Sequence, residues 1–272
     1  MTAREQWQMA TDAAHRYEQV VARHILGPWA PALVDAGLVS RGARVLDLAC
    51  GTGVVARCAA QRAGIQGHVI GVDLNPSMIA VARSLPAPDG ASIEWLQGSA
   101  LAIPLADTSV DVVLCQQGLQ FFPCRGTSLR EMRRVLRHGG RLALSVWSSA
   151  GLYNTAIATA LEQFAGKEIA SRFHASREVP GRAELEQLTI DAGFSDVDVR
   201  VSRIHVHLPR LDRFALEHLA ATPVAASIAA LDLDSRQGIG ASVMREMQRF
   251  GDGDGVTYPE ETHTVTACLL RP

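Results

Sequence analysis

Between Arg44 and Trp147 the chain alternates strand-like and helix-like patterns, and this alternation limits its possible folds more than any other feature. Short β-rich runs at Arg44–Ala49, His68–Asp73, Ile93–Gln97, Val110–Gln116 and Arg141–Trp147 are separated by helical patterns at Val54–Ala63, Ser77–Leu85 and Ser128–Arg137. Strand, helix, strand at this spacing predicts right-handed crossovers and a mainly parallel sheet. The runs VLDLA, VIGVD, DVVLC and LALSVW are nearly all apolar, as expected when helices cover both faces. The fold class read from this pattern is α/β, doubly wound.

The flanking segments are helical with two further strands. Trp7, Ala10, Ala14, Tyr17, Val21 and Ile25 recur at spacings of three and four, predicting an N-terminal helix that Gly27-Pro28 breaks before a second one runs to about Gly37. Helices are expected at Tyr153–Phe164 and at Arg182–Ala192, the latter capped by Gly193. Asp196–Leu208 alternates polar and apolar residues, the mark of a half-exposed strand near a sheet edge, and His263–Leu270 reads as a last strand. Helical stretches at Leu211–Ala220, Pro223–Ala230 and Ser235–Phe250 form an insert too small for an independent core. The expected organisation is a single domain over 1–272, with N-terminal helices at 1–40, a ligand-binding core at 41–150 and a helical insert at 209–252.

A hydrophobic share of 47% supports a sizeable core, and a formal charge of −2 argues against nucleic acid or an anionic membrane as partner. The polar N-terminal stretch reads as neither a secretory signal nor a membrane anchor. Cys50, Cys58, Cys115, Cys124 and Cys268 are scattered and odd in number, which predicts reduced thiols and a cytoplasmic setting. No cysteine or histidine group has metal-ligand spacing, so no metal is expected. There is no nucleophile elbow, HExxH or phosphate-binding GxxxxGK[ST] loop.

The most informative residues are Val45–Ala56, VLDLACGTGVVA, where a strand ends, a glycine-rich turn follows and a helix opens. Such a turn lets a ligand approach main-chain amides at a helix N-terminus. Read as GxGxxA (Gly51, Gly53, Ala56), with Asp73 where a ribose-binding acid would stand, it also fits a dinucleotide fingerprint. Asp47 distinguishes the readings. A carboxylate at the strand end repels a pyrophosphate but attracts the cationic end of a sulfonium amino acid; the plainer reading is a carboxylate that braces the loop.

DLACGTG, then GVDLNPSMIAVAR, GSALAIPLADTSVDVVLCQQGLQFFP and LREMRRVLRHGGRLALSVW, together resemble class I S-adenosylmethionine methyltransferases, most closely the ubiquinone/menaquinone-biosynthesis-like group. The resemblance covers Arg44–Trp147 and implies a Rossmann-like methyltransferase fold with a seven-stranded sheet whose last strand is antiparallel. It implies S-adenosylmethionine as cofactor, S-adenosylhomocysteine as product, and a small-molecule acceptor of natural-product or quinone-type phenolic character. By the same resemblance Asp47, Ala49, Gly51 and Gly53 hold the methionine portion, and Asp73 takes the ribose hydroxyls. Leu74 and Met78 pack on the adenine, whose edge meets Gly98, Ser99 and Ala100. Gln116 and Gln117 line the path to the acceptor, and Tyr17 closes over the methionine end. Ser99 departs from the family, which commonly has Asp there; a neutral hydroxyl accepts a weaker hydrogen bond from the adenine amino group.

The N-terminal helices and the insert are expected to form a lid over the acceptor. The insert's Phe214, Leu216, Leu219, Val224, Ile228 and Leu231 suggest an acceptor with an apolar portion, or plain helix packing. In-line methyl transfer from a sulfonium needs alignment and water exclusion, and a base only where the nucleophile must lose a proton. The candidate bases are His207 on the edge strand, His174 in a loop after the fifth strand, and His263 with Glu260–Glu261 before the last strand. The alternatives are an NAD(P)-dependent oxidoreductase and a cofactor-binding protein of this fold without turnover.

Overall fold

The computed structural model describes residues 11–175 and 179–270, so the expected contributions of Trp7 and Ala10 lie outside the described residues. Residue contacts gather into two compact units. The sheet unit holds Trp29–Val146, Pro180–Ser202 and the chain from Thr262; the helical unit holds the chain up to Pro28, Trp147–Val179 and Arg203–Glu261.

The sheet unit is built on β1 (Arg44–Leu48), β2 (His68–Asp73), β3 (Ser92–Gln97), β4 (Val110–Gln116) and β5 (Leu136–Trp147), all parallel. With β6 (Ser195–Pro209) and β8 (Gly255–Cys268) the strand order is β3-β2-β1-β4-β5-β8-β6, and the two-residue β7 (Gly251–Asp252) pairs with β8. The Gly139 amide donates to the Leu269 carbonyl, and the Ser148 amide to the Glu261 carbonyl. Numbers that rise along β5 thus fall along β8, so β8 is antiparallel, as expected. The outermost strand, β6, is the alternating segment read as an edge.

Around the sheet lie α2 (Ala30–Ala36), α3 (Val54–Ala63), α4 (Pro76–Ser84), α5 (Arg125–Val135) and α8 (Arg182–Asp191). The small residues of α3, Ala56, Ala59, Ala60 and Ala63, are fully buried against Val45, Val69 and Leu114 of the strands and against Leu33 and Val34 of α2. Alanine lets the helix axis come close to the sheet, so the glycine turn that feeds α3 is held rigidly above the strand ends. Trp95 of β3 packs against the same cluster. A β-carbon at Gly71 would lie 2.4 Å from its ring, and one at Gly53 would come within 2.1 Å, so both glycines make room for one indole.

The helical unit contains α1 (Thr11–Tyr17), which runs into a π-helical segment Glu18–Leu26, then α6 (Leu152–Phe164), α7 (Lys167–His174), α9 (Leu211–Ala220), α10 (Ala225–Ala229) and α11 (Leu233–Met247). Phe214, Leu219, Val224 and Ile228 of the expected insert are buried. Tyr153 stacks on His218 at 5.6 Å between ring centres, and its hydroxyl lies 3.2 Å from His218 Nδ1. Leu216 and Leu231 of the same set are half-buried.

Four local readings need correction. Gly27-Pro28 does not break the N-terminal helix outright: a 3₁₀ turn, Gly27–Trp29, joins the π-helical segment to α2, since proline lacks an N–H that the first turn of a helix does not need. β5 starts at Leu136 and not Arg141, with its register to β4 broken between Val110 and Val112, where Gly139 takes a φ of +81°. β8 starts at Gly255 and not His263. Its inward row runs Val256, Tyr258, Glu260, Thr262, so a carboxylate and a hydroxyl interrupt the apolar alternation that marks a strand. His174 closes α7 and is not in a loop.

Replacing Gly71 with alanine should destabilise the protein by about 1–3 kcal/mol through crowding against Trp95. Much of that loss should return in the Gly71→Ala/Trp95→Leu double variant, read as urea midpoints; an undiminished midpoint for Gly71→Ala alone would show that the ring is not confined.

Candidate functional site

The carboxyl ends of β1, β2, β3 and β4 converge on one edge of the sheet, and β1 and β4 flank the point where strand order reverses. Open α/β sheets bind ligands there. After β1 the chain turns through left-handed geometry at Ala49 (φ +58°), Gly51 (φ +55°) and Gly53 (φ +91°) before α3 opens at Val54. Gln117, directly after β4, is also left-handed (φ +53°). Non-glycine residues hold such a conformation at a cost of order 1–3 kcal/mol, and they do so where the surroundings fix it. Gly118 permits the close approach of the two strand ends, since a β-carbon there would lie 2.8 Å from that of Ala49.

Two acidic side chains on adjacent strands hold this turn. Asp47, 1% exposed, accepts the Ala56 amide of α3 at 2.8 Å through Oδ2. Asp73 accepts the Gly51 amide through Oδ2 and the Asn75 amide through Oδ1, each at 2.8 Å. Asp47 thus braces the loop, the plainer of its two readings. Burial pushes its carboxyl up to about 8, against the Ala56 hydrogen bond and with reinforcement from the nearby Asp73 charge. Burial likewise raises Asp73, opposed by its two amide donors.

The other predicted positions on this edge are also accounted for. Leu74 is 38% exposed, whereas Met78 on α4 is buried. The Gly98 amide donates to the Asp73 carbonyl. The Ser99 hydroxyl accepts the Leu101 amide at 3.2 Å, so it shapes the turn after β3, where Ala100 also sits. Gln116 and Gln117 are buried at the end of β4. Neither end of the Gln117 side-chain amide meets a partner among the described residues. A buried amide without partners costs about 1–3 kcal/mol, so this residue is suited to a ligand's donor and acceptor groups.

Tyr17, His174 and His207 belong to the helical unit, at the ends of α1 and α7 and on β6. His207 is exposed, with Nδ1 3.0 Å from the Thr257 hydroxyl. His263 and Glu260–Glu261 lie inside β8 and do not precede it. The structure therefore distributes the candidate bases over several elements.

Sequence reasoning missed two supports. Asn75 caps α4, its side chain accepting the Ser77 amide at 2.9 Å; Asn before Pro at a helix start was the available signal. Glu131 accepts the Ile103 amide at 2.8 Å, while Arg134 binds Glu131, Asp107 and the carbonyls of Ile103 and Leu105. This pair clamps the loop after β3. Its i,i+3 spacing was visible, but its partner loop was not.

Comparison with known proteins places this geometry. Residues 45–140 match the model of a family described as "Methyltransferase domain". Demethylmenaquinone methyltransferase of Listeria monocytogenes is 31% identical over 67% of this chain and 82% of its own length. The chain is a class I S-adenosylmethionine-dependent methyltransferase, of the ubiquinone/menaquinone-type group. This decides between the two readings of the glycine loop. Uncharacterized proteins of Mycobacterium tuberculosis and Mycobacterium bovis are 32% identical over 58% of this methyltransferase, which spans about half (54%) of their length. Haemonchus contortus phosphoethanolamine N-methyltransferase 2, solved with phosphomonomethylethanolamine and S-adenosylhomocysteine, shares the fold at a TM-score of 0.62. It is 19% identical, over 97% of this chain and 58% of that one.

The raised Asp47 carboxyl gives a pH dependence of stability. The folded protein keeps a proton that the unfolded chain releases near pH 4, so stability is full below that pH and falls as pH rises toward about 8. The melting temperature should decline across this window in the wild type, and the decline should flatten in Asp47→Asn; identical slopes would contradict the assignment.

Proposed function

We propose that this methyltransferase moves the methyl group of S-adenosylmethionine onto a small-molecule acceptor, a quinone-type or natural-product phenol. The observation that carries the cofactor reading is the pair of carboxylates behind a left-handed glycine turn, with the unpartnered Gln117 amide on the next strand. The demethylmenaquinone methyltransferase relatives support the acceptor class.

The residues present fit the cofactor. Each oxygen of Asp73 takes one amide and keeps a second lone pair for a ribose hydroxyl. Leu74, exposed beside it, offers an apolar face to an adenine, with Met78 beneath and Gly98, Ser99 and Ala100 at its edge. Asp47, Ala49, Gly51 and Gly53 would hold the amino-acid end. An ammonium placed near Asp47 would draw its proton off. When bound, S-adenosylmethionine supplies an electrophilic methyl group on a sulfonium.

The chain's own part in the reaction is positioning. The strained backbone at Ala49 and Gln117 fixes the strand ends, and alignment with water exclusion supplies the acceleration. Gln117 would orient the groups around the methyl, since its amide both donates and accepts.

Calorimetric titration tests the cofactor reading. S-adenosylhomocysteine should bind the wild type more tightly as pH rises from 6 to 8, and about 10–100-fold more weakly to Asp73→Asn, which loses a charged acceptor. NADH should not bind. Stabilisation by NADH alone, or no release of S-adenosylhomocysteine with any phenolic acceptor, would defeat the proposal.

A further inference from the structure

Arg57, in the first turn of α3, joins three parts of the sheet unit through one half-buried side chain. Its Nη1 donates to the Thr52 carbonyl at 2.6 Å, and its Nη2 to the Ala82 carbonyl at 2.8 Å. The guanidinium lies over the Trp95 ring of β3, 5.3 Å from the ring centre. Thr52 stands between Gly51 and Gly53 in the left-handed turn after β1, whereas Ala82 is in the last turn of α4.

Both carbonyls lack the donor that a continuing helix would bring. The Ala56 amide, four residues on from Thr52, is taken by Asp47. Four residues on from Ala82 stands Pro86, which has no N–H. Arg57 supplies a donor in place of each. Gly53 leaves room for it, since a β-carbon there would lie 2.8 Å from Nη1. A guanidinium is a planar, rigid fork, so two carbonyls held by its two terminal nitrogens keep a fixed separation; an ammonium on a flexible stem cannot impose one. The positive charge also opposes the burial that raises Asp47.

The two carbonyls belong to opposite halves of the cofactor site proposed above. The turn carries Gly51 and Gly53, assigned to the amino-acid end, and α4 carries Met78, assigned to the adenine. A ligand held at both ends binds tightly only where the halves of its site are correctly spaced, and a spacing fixed in advance lowers the cost of binding. A ligand held at one end is indifferent to that spacing.

We propose that Arg57 is a positioning residue for the cofactor: by bridging the Thr52 and Ala82 carbonyls it fixes the spacing between the amino-acid and nucleoside halves of the site. The proposal rests on the cofactor reading above. Arg57 acts through the main chain of the turn and of α4.

Titration with two ligands tests this role: S-adenosylhomocysteine, which spans both halves, and methylthioadenosine, which has the nucleoside and sulfur without the amino-acid end. Arg57→Met should bind S-adenosylhomocysteine about ten-fold more weakly than the wild type, and methylthioadenosine within about two-fold of it. Arg57→Lys keeps the charge and the apolar stem but not the fork. It should show the same split, with S-adenosylhomocysteine about five-fold weaker or more, and it carries the test if Arg57→Met does not fold. A merely structural loss would weaken both ligands alike. Equal weakening of the two, unchanged S-adenosylhomocysteine affinity in both variants, or full affinity in Arg57→Lys would overturn the proposal. So would a wild type that binds S-adenosylhomocysteine but not methylthioadenosine, since the nucleoside half would then not bind by itself. Those results leave the cofactor reading standing, whereas failure of the wild type to bind S-adenosylhomocysteine would remove that reading and the proposal with it.

Discussion

Two carboxylates in a poorly solvated corner, Asp47 and Asp73, tie main-chain amides of the first crossover to the ends of adjacent strands. Burial raises both, so ionising either is costly, and the amide hydrogen bonds offset that cost in part. The glycine turn, the start of α3 and the start of α4 all depend on these contacts. A turn so fixed is ordered in advance of any ligand, which reduces the ordering needed on binding.

The rest of the sheet unit supports this corner. The alanine face of α3 lets the helix approach the sheet, and the two glycines that admit Trp95 lock β3 against it. The Glu131–Arg134 pair fixes the loop after β3 from a different helix, and hydrogen bonding to Arg134 holds Glu131 below the usual carboxylate range. The ends of β1, β2 and β3 are thus each held by a separate contact.

Much of the fold was legible because buried parallel strands are nearly all apolar and end in recognisable turns. β2 and β4 fall where their patterns predicted, and α9 likewise. The turn after β1 was legible for a related reason: Gly51 and Gly53, at fixed offsets from the strand end, take the left-handed conformations that glycine permits. Reading failed where a buried row carried polar side chains. Glu260 and Thr262 hid the first half of β8. The Asp47 contact with the Ala56 amide was not legible either, because no sequence pattern shows which amide lies within reach of a carboxylate at a strand end. The Glu131–Arg134 clamp depends on contacts about 30 residues away in sequence, beyond what local spacing can reveal.

Amide hydrogen exchange at Gly51, Ala56 and Asn75 tests most directly whether the two carboxylates hold the loop. In the wild type all three amides should exchange slowly, and bound S-adenosylhomocysteine should slow them further. Asp73→Asn should speed exchange at Gly51 and Asn75 roughly ten-fold or more while sparing Ala56, and Asp47→Asn should do the reverse. Unchanged exchange at these amides in both variants would contradict the role given to the carboxylates.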